Sequence, residues 1–133
     1  MTPLFKKLNF KMQKEICILN SPAEFEEEAE EIKKVTSLIT NLRDCKKVEF
    51  ILSFVKTKKE IETISSSLVK KLEGDAIVWF AYPKKTSKKY NLEINRDYGW
   101  EVLRNGGLDT VRAVSIDGDW SALRFRKVAF IKK

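Results

Sequence analysis

Apolar positions along this chain fall into two spacings, and the spacing assigns most of its elements. Ile61, Ile64, Leu68 and Leu72 recur at helical intervals behind Thr57-Lys58-Lys59-Glu60, a capping box in which the threonine and glutamate each satisfy an amide of the first turn. Residues 48–55 (VEFILSFV) and 76–82 (AIVWFAY) are instead apolar at every step or nearly so. Strands covered by helices on both faces have this composition, whereas half-exposed strands alternate. Residues 15–19 make a shorter apolar strand. Residues 110–116 and 121–130 flank Asp117-Gly118-Asp119, a turn signal, and predict an antiparallel hairpin.

Further helix starts come from local chemistry. Thr2-Pro3 places a hydroxyl cap before a proline at the first helical position, opening a short helix through Leu8. Ser21-Pro22-Ala23-Glu24 has the form of a second capping box, and the acids of FEEEAEE behind it suit the start of a helix. A last helix is expected over 97–104, capped by Asp97 and stopped at Asn105-Gly106-Gly107. Residues 35–42 fit helical spacing and a short edge strand alike; the β-branched run VTSLIT favours the strand. The resulting order, β-α-β-β-α-β-α-β-β, predicts one domain: a three-layer α/β/α sandwich, its sheet mainly parallel with a C-terminal antiparallel hairpin.

Composition narrows the chemistry. The 133 residues contain no histidine, which removes imidazole bases, Ser-His-Asp and Cys-His nucleophile pairs and the common zinc sites. A formal net charge of +7 points to an anionic partner: nucleic acid, an anionic ligand or an acidic protein. No apolar run approaches the ~20 residues of a membrane span, and no signal peptide is recognisable, so a cytoplasmic protein without a membrane partner is expected. Cys17 and Cys45 lack metal or redox spacing and are expected as reduced thiols, Cys17 inside a strand and Cys45 on the surface between charged neighbours. Trp79 and Trp100 are expected in the core.

Two resemblances arise from quoted residues. Leu68 to Gly74 running into AIVWFAYP, followed by Trp100 to Gly107 and a hairpin, resembles the methyltransferase-like Rossmann architecture in shortened form. Where that architecture brings a glycine-rich loop to its adenosyl cofactor, this chain has Asn20-Ser21-Pro22-Ala23-Glu24-Phe25, so no cofactor is expected. TPLFKKLNFK, FAYPKKTSK and WSALRFR together resemble a family of small bacterial proteins, domain of unknown function number 3052, with Asn9 standing where that family has glycine. The resemblance implies a compact cytoplasmic bacterial domain and no particular activity.

The candidate site is a surface. Pro83-Lys84-Lys85 follows the third buried strand directly, and ligands of open α/β sheets sit beyond the carboxyl ends of strands. Lys84, Lys85 and Lys88 would hold an anion as point charges, with Tyr82 and Trp120 as aromatic lining; a solvated lysine loop is the alternative. Alternation over 120–126 places Trp120, Arg124 and Arg126 on one face, where the arginines suit oxyanion recognition, or Arg124 packs on Trp120 and pairs with Asp97. Three functions remain open: non-catalytic binding of an anionic ligand, a degenerate nucleotide-binding or methyltransferase-like crevice, and a homodimeric interaction scaffold. No catalytic residue and no metal site is assigned.

Overall fold

The computed structural model describes residues 2–90 and 93–131. Ten regular elements follow one another: α1 (Pro3–Lys7), β1 (Glu15–Leu19), α2 (Glu26–Lys33), β2 (Ser37–Ile39), β3 (Val48–Phe54), α3 (Lys58–Leu68), β4 (Leu72–Pro83), α4 (Glu101–Asn105), β5 (Leu108–Ser115) and β6 (Trp120–Lys127). The strands form a six-stranded sheet in the order β2-β1-β3-β4-β6-β5. All contacts from β2 to β4 are parallel; β6 alone runs against both of its neighbours. Direction therefore reverses only at the strand inserted between β4 and β5.

The apolar runs become a sheet with a core on each side. From β4, Val78, Phe80 and Tyr82 face α3 and α4, meeting Ile61, Leu68, Trp100 and Leu103. Ile77, Trp79 and Ala81 face α1 and α2, meeting Phe5, Leu8 and Ile32. This is the three-layer arrangement that two-faced apolar strands require. Trp79 is 0% exposed, and its indole Nε1–H donates to the carbonyl of Leu8 at 2.7 Å, tying the end of α1 to the centre of the sheet. Residues 35–42 do contain the edge strand β2, and the Thr57 capping box is complete.

Several expectations are corrected. Ser21 caps nothing: a 3-10 turn, Ala23–Phe25, precedes α2, and Glu24 is turned away from the helix start. Its carboxylate is engaged by Tyr90 and Trp120 instead. Leu72 belongs to β4 and not to the helix before it. The β3–β4 register steps from Val48↔Leu72 to Phe50↔Ile77, so Glu73, Gly74 and Asp75 are surplus to the ladder. Gly74 takes φ +55 at this bulge, a conformation open to glycine at little cost. The last helix starts at Glu101, and Asp97 does not cap it. Gly99 at φ +106 breaks the expected helix, and a Cβ there would sit 2.8 Å from Ile94 Cγ2. Asp97 instead donates its backbone N–H to Asn95 Oδ1, closing a tight side-chain turn. Cys45 is 3% exposed, packed with Cys17 in the α3-side core, so it is not a surface thiol.

Candidate functional site

At the carboxyl rim of the sheet the chain reverses direction between β1 and β3: β1 is followed outward by β2, and β3 inward by β4. Such a switch point is where open α/β sheets place ligands. Asn20 leaves β1 at φ +57 and donates its amide to the Phe54 carbonyl at 3.5 Å, closing the gap between the two strand ends. Of the first amides of α3, ordinarily an anion-binding feature, Lys58 N–H and Glu60 N–H already have acceptors, the latter Thr57 Oγ1 at 3.1 Å. Glu60 accepts from the N–H groups of Lys56 and Thr57 at 2.8 and 3.1 Å, and Glu93 accepts from Lys58 N–H at 2.8 Å.

Beside this point the segment after β4 is bound to the β1–α2 loop. The Tyr90 hydroxyl donates to Glu24 Oε2 at 2.7 Å, Trp120 Nε1–H donates to the same oxygen at 3.3 Å, and the Lys89 ammonium lies at 3.9 Å. The tyrosine ring packs on Trp120 at 4.9 Å with the Lys56 ammonium 4.9 Å from its centroid. The hydrogen bond to Glu24 holds the Tyr90 phenol up at about 12, and the same bond lowers the Glu24 carboxyl.

The residues singled out from the sequence separate into groups. Tyr82, Lys84 and Lys85 line a concavity of about 450 Å³ at the end of β4, joined there by Asn95, Arg96 and Ser121. Lys84 is fixed across the hairpin, its N–H donating to the Asp119 carbonyl at 2.7 Å and its ammonium to Ser115 Oγ at 2.6 Å. Lys88 is exposed and lies outside that lining. Trp120 is buried on the opposite face from Tyr82, edge-on to Phe54 at 5.0 Å, so the two aromatics do not share a surface.

Arg124 and Arg126 stand apart from the lysines. Pro83 pairs with Trp120 but Trp79 pairs with Arg124, four residues or roughly 13 Å further down the strand. Arg126 grips Asp75 with both ends of its fork, at 2.8 and 2.6 Å, and lowers that carboxyl. Arg124 neither stacks on Trp120 nor pairs with Asp97. Its Nε is buried without a partner among the described residues, and burial together with the neighbouring Arg126 lowers its guanidinium.

A larger feature went unforeseen. Between β2 and β3 the chain forms only a 3-10 turn, Leu42–Asp44, so no helix covers the adjoining flank of α3. A groove of about 690 Å³ remains, with Leu19 and Ile64 beneath and Asn20, Thr40 and Asn41 at its carboxyl end. Arg43, Lys70 and Lys71 supply its charge; no carboxylate is among the described residues that line it. Lys71 Nζ also donates to the Leu42 carbonyl at 2.7 Å, holding the turn over the groove. Only the absence of a helical pattern between β2 and β3 hinted at this opening.

No family model matches the chain, and no curated protein does. Solved structures do. A SAM-dependent methyltransferase from Aquifex aeolicus aligns at TM-score 0.59 and 12% identity over 95% of this chain and 90% of that one. The N-methyltransferase NodS from Bradyrhizobium japonicum aligns at 0.55 and 13%, over 95% and 97%. The ribosomal protein L11 methylase from Lactobacillus delbrueckii aligns at 0.54 and 14%, over 93% and 77%. The residues here do not fit S-adenosylmethionine. The loop after β1 has no glycine, buries Phe25 and ties Glu24 to Tyr90. Thr40 and Asn41 at the end of β2 offer no carboxylate for ribose hydroxyls, and Asn41 Oδ1 already accepts from Arg43 N–H. The cationic groove also opposes a sulfonium. Sheet order and these likenesses together establish the fold alone: a methyltransferase-like Rossmann domain, shortened between β2 and β3.

Proposed function

We propose that this chain is a degenerate methyltransferase-like domain that binds a phosphate-bearing nucleotide in the groove beside α3. The observation carrying the reading is the groove's lining: three cations without a carboxylate among the described residues, in a groove that runs from the carboxyl ends of β1 and β2 along α3 to Lys70 and Lys71 at the end of that helix. Asn20, Thr40, Asn41, Thr63 and Ser67 supply hydrogen-bonding groups for a base and sugar, and Arg43, Lys70 and Lys71 complement phosphates. The volume lies within the usual range for small-molecule sites, roughly 300–1,000 Å³. The proposal places the domain in the cytoplasm, consistent with two buried unpaired thiols, and within the bacterial family that its terminal motifs resemble.

Thermal unfolding with adenosine di- and triphosphate, against S-adenosylhomocysteine, tests this reading. Ligands that bind the native state raise the unfolding temperature. The nucleotides should raise it, and Arg43→Gln and Lys70→Gln should each reduce the shift. No shift with any nucleotide, or a larger one with S-adenosylhomocysteine, overturns the proposal.

A second reading is non-catalytic binding of an anion at the concavity of Tyr82, Lys84 and Lys85. What favours it is the convergence of Lys84, Lys85 and Arg96 on one hollow beyond the end of β4. Its test is pyrophosphate binding by calorimetry, lost in Lys85→Gln. Unchanged binding in that variant refutes it.

A further inference from the structure

The concavity beyond β4 does not end at Arg96. A second hollow, about 300 Å³, adjoins it across that arginine and continues towards β5, lined by Arg96, Asp97, Arg104, Thr110, Arg112 and Leu123 among others. Ser121 in the first hollow and Leu123 in the second lie two residues apart on the same face of β6. The two hollows therefore share Arg96 and one face of β6, and lie side by side across the β4–β6–β5 surface. Lys84, Lys85, Arg96, Arg104 and Arg112 line them, against a single lining carboxylate, Asp97, among the described residues. Asp109 stands outside the lining, 3.5 Å from Arg104.

From this placement we infer that the two hollows form a track for single-stranded nucleic acid, read through its phosphates; the inference rests on the second reading above, of which it is an extension. Three of the five cations are arginines, whose planar forks match phosphate oxygens. From the Tyr82↔Ser121 pair to the Thr110↔Phe125 pair is four residues along the strands, with two strand spacings crosswise. The diagonal is roughly 16 Å, which at ~3.4 Å of rise per nucleotide holds about four to five nucleotides of a stacked strand.

The test is fluorescence anisotropy with labelled oligothymidylates of increasing length in dilute salt, with polyglutamate as the competing acidic polymer. Binding should strengthen up to about five nucleotides and then level, and should weaken with salt at a log–log slope near −0.7 per phosphate contacted. Arg104→Gln and Arg112→Gln should each reduce that slope by about 0.7 without lowering the unfolding temperature. Absence of oligonucleotide binding, unaltered binding in both arginine variants, or equal binding of polyglutamate overturns the inference. Pyrophosphate binding that depends on Lys85 would persist in each of those cases and would leave the smaller anion site standing, so the two failures are distinguishable.

Discussion

Replacing Trp79 with phenylalanine tests whether α1 is held to the sheet by a specific bond or by general apolar contact. The indole is fully buried and its Nε1–H is 2.7 Å from the Leu8 carbonyl, at the cap of a helix only five residues long. Phenylalanine removes the donor and two further ring carbons. Those carbons account for about 1.6 kcal/mol at ~0.8 kcal/mol per buried methylene-sized group. A buried carbonyl left without its partner costs about 1–3 kcal/mol more. The expected loss is therefore about 2.6–4.6 kcal/mol. At ~2.1 cal/mol/K per residue, 133 residues give an unfolding entropy near 0.28 kcal/mol/K, so Tm should fall by roughly 9–16 °C. Trp120→Phe is the control, because its Nε1 contact to Glu24 is longer, 3.3 Å, and only partly buried. Scanning calorimetry reads both variants, and amide exchange over 3–8 should accelerate in the first alone. Equal losses in the two variants, or less than about 1 kcal/mol for Trp79→Phe, would refute the anchoring role of the bond.

Three more outcomes follow from geometry. The Tyr90 phenol is raised because its hydrogen bond to Glu24 favours the neutral form, so this contribution to stability is complete below pH ~10 and lost as pH rises through about 12; ultraviolet titration of Tyr90→Phe should lack that late phenolate, and an unchanged curve would deny the contact. Burial raises both Cys17 and Cys45, so Ellman's reagent should leave the native protein unreacted and titrate two thiols in denaturant, whereas one rapid native equivalent would return Cys45 to the surface. Gly74→Ala should destabilise by about 1–2 kcal/mol although open space surrounds the position, because its φ of +55 and not its contacts sets the cost; Gly118→Ala, equally open and without that φ, should be tolerated on denaturant unfolding.

The layered sheet was legible because burial on both sides leaves a mark in every residue of a strand, as in 76–82. Alternation also placed Trp120, Arg124 and Arg126 on one face, as observed for Trp120 in the α1–α2 core. What it could not show is height along the neighbouring strand, which separates the arginines from Lys84. The missed cap at Ser21 has a similar origin: Glu24 fits a local box, but a partner 66 residues away takes its carboxylate. Cys45 misled through its charged neighbours, since the turn that carries it folds inward against Cys17. Arg96 stood just ahead of the helix expected over 97–104, which Gly99 interrupts, and so drew no attention. The groove beside α3 had no residue signature, being the space left by a connection too short to form a helix.

The position of β6 between β4 and β5 carries a consequence for assembly. On the ribosome, residues 108–115 emerge before β6, the one strand they pair with among the described residues, and β4 waits with a bare hydrogen-bonding edge until 120–127 follow. Completion of the sheet is thus deferred to its latest-made strand, and the interval exposes an apolar edge to other nascent chains. Deleting 120–127 should strip two strands from the fold at once, leaving a four-stranded remnant prone to associate through β4.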